Sequence, residues 1–167
     1  MPLFVDGKPQ APHVVLTMRR SEMCRHAGEI SFPGGRHDPQ DVHLSDTALR
    51  EAEEEIGLPR AQVTLLGELP PTSTFATGYL IHPFIGLIPA RQLWRLSPLE
   101  VDAVIELPLQ RLRESHTRTR LERRGFTFET DAYIVDEHLI WGATARIIEN
   151  LLLRLEAEDL DAGLSLR

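Results

Sequence analysis

The chain has little cysteine, an overall deficit of positive charge and no long apolar run, and each shortage excludes a class of protein. Cys24 is the single cysteine among 167 residues, so no disulfide can close within the chain and a reducing compartment suits it. With 18 Lys and Arg against 25 Asp and Glu, the formal net charge is −7. Proteins that bind nucleic acid generally, or that adhere to anionic membranes, present a net basic surface, which this composition does not supply. No apolar run approaches the length of a membrane span and no signal-peptide pattern opens the chain, so the expected location is cytoplasmic. The seven histidines form no H-x-x-x-H pair, and with one cysteine a zinc enzyme is set aside. No repeat, low-complexity tract or linker divides the chain. At this length one core buries about two-thirds of the unfolded surface, and a single domain over residues 1–167 is the expectation. A strand is read almost from Met1, which leaves a longer native N-terminus open.

What is present is concentrated between Gly34 and Leu58, which read GGRHDPQDVHLSDTALREAEEEIGL. Two glycines enter a polar loop, Ser45 or Asp46 caps a helix, strong helix formers run from Thr47 to Ile56, and Gly57 stops it. Glu51, Glu54 and Glu55 are related as i, i+3 and i+4 and share one helix face, while Glu53 points elsewhere. Carboxylates about 5 to 6 Å apart repel by about 0.7 kcal/mol per pair in water and by about 3 kcal/mol at an effective dielectric near 20. Acids in the last turn also oppose the helix dipole. In a cleft such a cluster calls for a cation. Arg50 reaches Glu54 at i+4, and the remaining oxygens suit hard ions such as Mg²⁺ or Mn²⁺. The alternative is a solvated acidic face.

This segment resembles the Nudix hydrolase box, written G, five residues, E, seven residues, then R-E-U-x-E-E-x-G-U with U aliphatic. Arg50, Glu51, Ala52, Glu54, Glu55, Gly57 and Leu58 fit its second half in register. In the first half, counting from Gly35, the acidic position holds Asp41, and eight residues rather than seven separate it from Arg50. The preceding stretch, Leu16 to Gly35, resembles the extra motif of the coenzyme A pyrophosphatase branch through Leu16, Thr17, Arg19, His26, Gly28, Phe32, Pro33, Gly34 and Gly35. Arg20, Met23 and Cys24 depart from it, and Arg25 falls one place later than the branch's second arginine. Pyrophosphate and a 3′-phosphate call for arginine forks and backbone N–H groups, and Arg19, Arg20 and Arg25 beside Gly34 and Gly35 offer both. His26 reads either as a structural hydrogen-bonding histidine or as a substrate contact, and Cys24 as a small apolar side chain.

Around this centre the rest of the chain reads as α/β. Leu3–Val5 and His13–Met18 form a hairpin about Asp6-Gly7-Lys8-Pro9. Gln62–Leu66 is a strand, 67–78 a long loop, and Tyr79–Ile88 a central strand buried on both faces. By resemblance to the branch, that loop lies over the cleft with Thr72, Ser73, Thr74 and Phe75 available to substrate. Val101, Ala103, Ile105 and Leu107 alternate as one buried sheet face. Arg111 to Arg124 is strongly basic, read as a hairpin with a solvated edge or, alternatively, a phosphate patch or homodimer contact. Phe126–Val135 is a strand. Leu139–Ala145 resembles the branch's I-W-G-x-T-A and opens a helix whose Ile147, Ile148, Leu151, Leu152 and Leu155 make an apolar stripe.

Strands before, between and after two helices give an α/β sandwich with a mixed sheet, and the resemblance implies the Nudix form of it, with helices on both sides. It also implies metal-dependent hydrolysis of the pyrophosphate of coenzyme A or an acyl-CoA, with Mg²⁺ or Mn²⁺ held by Glu51, Glu54 and Glu55. Arg19, Arg25, His26, Gly34 and Gly35 would contact this small-molecule substrate. Arg50, Glu54 and Glu100 are the catalytic candidates, Glu100 competing with Glu54 as the base. The alternatives are a Nudix hydrolase for ADP-ribose, NADH or a nucleoside triphosphate, or a module that binds without hydrolysis.

Overall fold

The computed structural model describes residues 1–8, 10–20, 28–74, 78–123 and 125–165, with side chains to residue 158. Strands β1 (Pro2–Asp6) and β2 (Ala11–Arg19) form the expected antiparallel hairpin, Leu3 opposite Val14 and Phe4 opposite His13. Strand β3 (Ile30–Ser31) continues beside the far half of β2. Then come α1 (Leu44–Ile56), a 3-10 turn at Arg60–Gln62, β4 (Thr64–Glu68), a small hairpin of β5 (Thr72–Ser73) and β6 (Leu80–Ile81), β7 (Phe84–Leu87) and β8 (Val101–Pro108). Helix α2 (Leu109–Glu114), strands β9 (His116–Arg123), β10 (Phe126–Val135) and β11 (His138–Trp141), and helix α3 (Gly142–Ser165) complete the order. In the main sheet β2 is flanked by β1 and β3 on one side and by β8 on the other. β1 runs parallel to β7, and β7 antiparallel to β4 at the edge, so the sheet is mixed. β9, β10 and β11 form a second, antiparallel sheet.

Alternation along β2 divides the interior in two. Val14 and Leu16 face the larger cluster, with Ile105, Leu107, Leu112, Ile140, Ile148 and Leu151. Val15 faces the smaller one, built with Ala52, Ile56, Leu58, Ile88 and Val101. Helix α1 therefore covers one face of the sheet and α2 with α3 the other, the sandwich expected. The stripe of α3 is core as read: Ile147, Ile148, Leu151 and Leu152 are buried, with Leu155 packed beside them.

Several local expectations are corrected. Tyr79–Ile88 is two short strands, because Pro83 has no N–H to donate and interrupts the ladder between β6 and β7. It is not buried on both faces, since Leu80 and Leu87 are exposed. The strand after α1 starts at Thr64, residues 60–62 being taken into the turn. Leu109–Glu114 is a third helix inside the stretch read as hairpin. Its Arg111 pairs with Asp136 at 2.8 Å, and Arg118 of β9 approaches Glu129 at 3.5 Å, so neighbouring acids take up part of that basic run. In β8 a register shift at Met18/Arg19 turns Val101 onto the α1 face, away from Ile105 and Leu107.

Candidate active site

Helix α1 begins three residues earlier than its sequence suggests. His43 is the residue before the helix, in an extended conformation, and Asp46 sits inside the first turn, where its carboxylate accepts the His43 N–H at 3.0 Å. The other end stops as expected. Gly57 adopts φ 68°, its N–H reaches Glu53 O at 3.0 Å, and the Leu58 N–H reaches Ala52 O at 3.3 Å, the double closure that favours glycine. A β-carbon at Gly57 would also lie 2.8 Å from Cβ of Arg95. Residues 95–101 press against this end of the helix: the Arg95 N–H meets Ile56 O at 3.0 Å and the Ser97 N–H meets Glu55 O at 2.8 Å. The Arg20 N–H holds Glu100 O at 3.0 Å. This lashing delivers Glu100 from the start of β8 to the end of α1.

On the outer rim of α1, Arg50 is the hub. Its guanidinium donates to Asp41 at 3.1 and 3.3 Å, to Glu51 at 3.0 Å, to Glu54 at 3.1 Å and to the Arg36 carbonyl at 3.2 Å. Asp41 also accepts the Thr47 hydroxyl at 2.8 Å and the Asp38 N–H at 3.2 Å. The Arg50 hydrogen bond, reinforced by the others, holds the Asp41 carboxyl well below the usual carboxylate range. The shorter acid and the longer spacing thus still meet the arginine, because the loop folds back over the first turns of α1. That anchoring role of Asp41 was not read from the sequence. Its signal was the acidic position of the box itself.

On the inner rim Glu55 is 4% exposed and accepts a single described hydrogen bond, from the Gly34 N–H at 3.2 Å. Burial pushes its pKa up to about 7, opposed by the Gly34 N–H and the Arg19 charge and reinforced by the carboxylates of Glu100 and Glu51. Arg19 reaches this side because it shares the face of β2 that carries Val15, and among the described residues its side chain makes no ion pair. A β-carbon on Gly35 would overlap the Glu51 carboxylate, so the backbone here lies close against that side chain. Glu51 and Glu55 therefore turn toward Gly34, Gly35, Arg19 and Glu100. Glu54 does not join them. Its side chain is 57% exposed and tied to Arg50, because i+4 from Arg50 faces outward. Arg25, His26 and Phe75 lie outside the described residues. Two of the hydroxyls read as available to substrate serve their own hairpin: Thr72 is buried and donates to Pro70 O at 3.5 Å, and Thr74 Oγ1 accepts the Tyr79 N–H at 2.9 Å; Ser73 is exposed.

A family model for the NUDIX domain matches residues 3–126. The chain belongs to the Nudix family. A Nudix hydrolase, NudL, of Photorhabdus laumondii is 39% identical over 158 residues, spanning 93% of this chain and 82% of the relative. NudL of Salmonella paratyphi B is 37% identical over 153 residues, spanning 90% and 79%. Among solved structures, the NUDIX domain of Shewanella oneidensis NrtR complexed with ADP ribose aligns with a TM-score of 0.56 at 16% identity, over 92% of this chain and 84% of that one. A Caenorhabditis elegans Ap4A hydrolase binary complex aligns at 0.52 and 16%, over 65% and 78%. These two likenesses establish the fold.

As a Nudix hydrolase the protein acts on phosphoanhydrides, in pyrophosphate-containing substrates, and Nudix hydrolases generally use divalent metal ions. The inner rim fits such an ion by its chemistry. It offers oxygen donors alone, the ligands that hard divalent cations prefer, and Glu55 is a buried carboxylate that ionises only with difficulty until positive charge arrives. Among the described residues no three acidic or histidine side chains stand close enough to enclose an ion as placed. Glu51 and Glu55 are the side chains that would hold it. No helix is long and apolar enough to cross a membrane among the described residues.

Proposed function

We propose that the protein is a coenzyme A pyrophosphatase, splitting the diphosphate of coenzyme A or an acyl-CoA into 3′,5′-ADP and (acyl-)4′-phosphopantetheine with Mg²⁺ or Mn²⁺. One observation carries this reading. Arg19 and Gly34, both from the stretch that resembles the extra motif of that branch, converge on Glu55 of the Nudix helix. Phosphate recognition and the acidic helix thereby share one site. A divalent ion, when bound, neutralises the diphosphate and lowers the pKa of a water. Glu51 and Glu55 supply oxygens for it, and Glu100 accepts the proton of the attacking water. Arg50 positions Glu51 and keeps Glu54 outward. Arg19 forks onto phosphate oxygens, Gly34 and Gly35 admit the substrate close to the backbone, and Arg25 and His26 contact the phosphates from the same motif. In this reading residues 1–167 act as one catalytic unit on a small molecule.

The displaced Arg25 favours a second reading, a Nudix hydrolase for another nucleoside diphosphate derivative such as ADP-ribose. Initial rates on coenzyme A, its 3′-dephospho form and ADP-ribose separate the two. A pocket that engages the 3′-phosphate leaves polar groups unpaired when it is missing, so kcat/KM should fall about 100-fold on the dephospho form. Equal rates on both, or a preference for ADP-ribose, would sink the coenzyme A assignment.

A further inference from the structure

Arg36 directly follows Gly35 and is clamped through its backbone, whose carbonyl accepts from Arg50 at 3.2 Å. Its side chain behaves unlike that of Arg50, which pairs with Asp41, Glu51 and Glu54. Among the described residues it forms no ion pair, although acids outnumber Lys and Arg by 25 to 18. The guanidinium carbon instead lies 4.9 Å from the centroid of the Tyr79 ring, within the range of a cation–π contact. Tyr79 is 49% exposed, so a large ring is left half in water rather than packed into the core. Its backbone is nonetheless fixed on both sides, the N–H bound to Thr74 Oγ1 at 2.9 Å and the carbonyl accepting the Thr74 N–H at 2.8 Å. The hairpin that carries it is held to α3 by Arg146, which donates to the Ser73 carbonyl. The result is a half-exposed aromatic ring whose backbone is hydrogen-bonded to Thr74, with a guanidinium at cation–π distance from its centroid. It stands beside the residue whose α-carbon abuts the Glu51 carboxylate.

Planar, exposed π-faces backed by arginine are how proteins hold nucleobases without reading their edges. Arg36 follows Gly35 directly in the chain, so the residue that carries the cation of the platform is next to the one whose backbone approaches the Glu51 carboxylate. We propose that Arg36 and Tyr79 form the nucleobase platform of this site: the purine of a nucleoside diphosphate substrate stacks on the pair, and its phosphates extend to Gly34, Arg19 and the inner carboxylates. The proposal rests on the diphosphate-cleaving reading of the site but not on coenzyme A, since adenine is common to coenzyme A, ADP-ribose and NADH.

The test is calorimetric binding of two probes, ADP and inorganic pyrophosphate, each with Mg²⁺, to the full chain and its variants. Tyr79→Ala should weaken ADP by about 10- to 100-fold, the range of stacking on an aromatic side chain, and leave pyrophosphate within about twofold. Tyr79→Phe should keep the affinity for ADP. Tyr79→Leu, which preserves apolar bulk and guards against a folding defect, should lose it as Tyr79→Ala does. Equal losses for ADP and pyrophosphate, unchanged ADP binding in Tyr79→Ala and Tyr79→Leu, or no preference of the wild type for ADP over pyrophosphate would each overturn the platform. Discrimination by Tyr79 in a protein that ignores coenzyme A would leave the platform standing and remove only the coenzyme A assignment.

Discussion

Asp41 and Glu55 are both buried carboxylates of one Nudix box, yet their charges are opposed in circumstance. Asp41 meets a guanidinium, a hydroxyl and a backbone N–H, and is held far below the ordinary carboxylate range. Glu55 meets one N–H and two neighbouring carboxylates, and burial pushes it up to about 7. Burial acts foremost on Glu55 and the Arg50 hydrogen bond foremost on Asp41, so the two acids differ both in desolvation and in the positive charge supplied to them. The outer rim is satisfied by Arg50 and needs nothing further. The inner rim is left short of positive charge, and in the proposed function a divalent ion on a diphosphate would supply it.

That contrast is exposed to direct tests. The largest effect belongs to the inner rim: Glu55→Gln should lower turnover at least about 1,000-fold, equivalent to about 4 kcal/mol of barrier, with the fold intact by circular dichroism. Turnover within tenfold of wild type would mean that the inner rim is not the reaction centre. Next comes the outer anchor. Arg50→Met strands Asp41 without a cation, so the midpoint of urea melts should fall measurably below that of the wild type. Asp41→Asn in the same background should recover most of that fall, and a purely additive double mutant would break the pairing. The smallest effect is expected at Glu54, whose exposed pair with Arg50 is worth under about 0.5 kcal/mol. Glu54→Gln should leave the melting curve nearly unchanged and cost turnover less than about tenfold. A loss equal to that of Glu55→Gln would return Glu54 to the centre of the site.

Much of this was legible in the sequence, for identifiable reasons. Spacing on a helix fixes which acids share a face, and Gly57 announced its own left-handed closure. The face of β2 that carries Arg19 follows from alternation with Val15. What escaped the sequence was decided by contacts across the fold. Helical periodicity groups Glu54 with Glu51 and Glu55, and only the position of Arg50, pulled outward by Asp41, separates them. The start of α1 moved because Asp46 reaches back to His43 rather than capping in place. The approach of Glu100 to Glu55 follows from hydrogen bonds of Arg95 and Ser97 to the end of α1 and of Arg20 to the Glu100 carbonyl, none of which leaves a local pattern. The hydroxyls of 72–74 suggested a binding loop, whereas Thr72 and Thr74 spend theirs within that loop.

The central claim is that Glu55 is held in deficit of positive charge until a divalent ion arrives, and pH measures that deficit. An acid whose folded pKa is raised binds its proton in the folded state where the unfolded chain has already lost it, so its contribution to stability declines as pH rises from its ordinary 4.5 to about 7. Relative to Glu55→Gln, the wild type in EDTA should lose up to about 3 kcal/mol of unfolding free energy between pH 4.5 and 8, and saturating Mg²⁺ or Mn²⁺ should recover most of that difference. A wild-type-minus-variant difference that is flat with pH, or identical with and without the ion, would contradict the account.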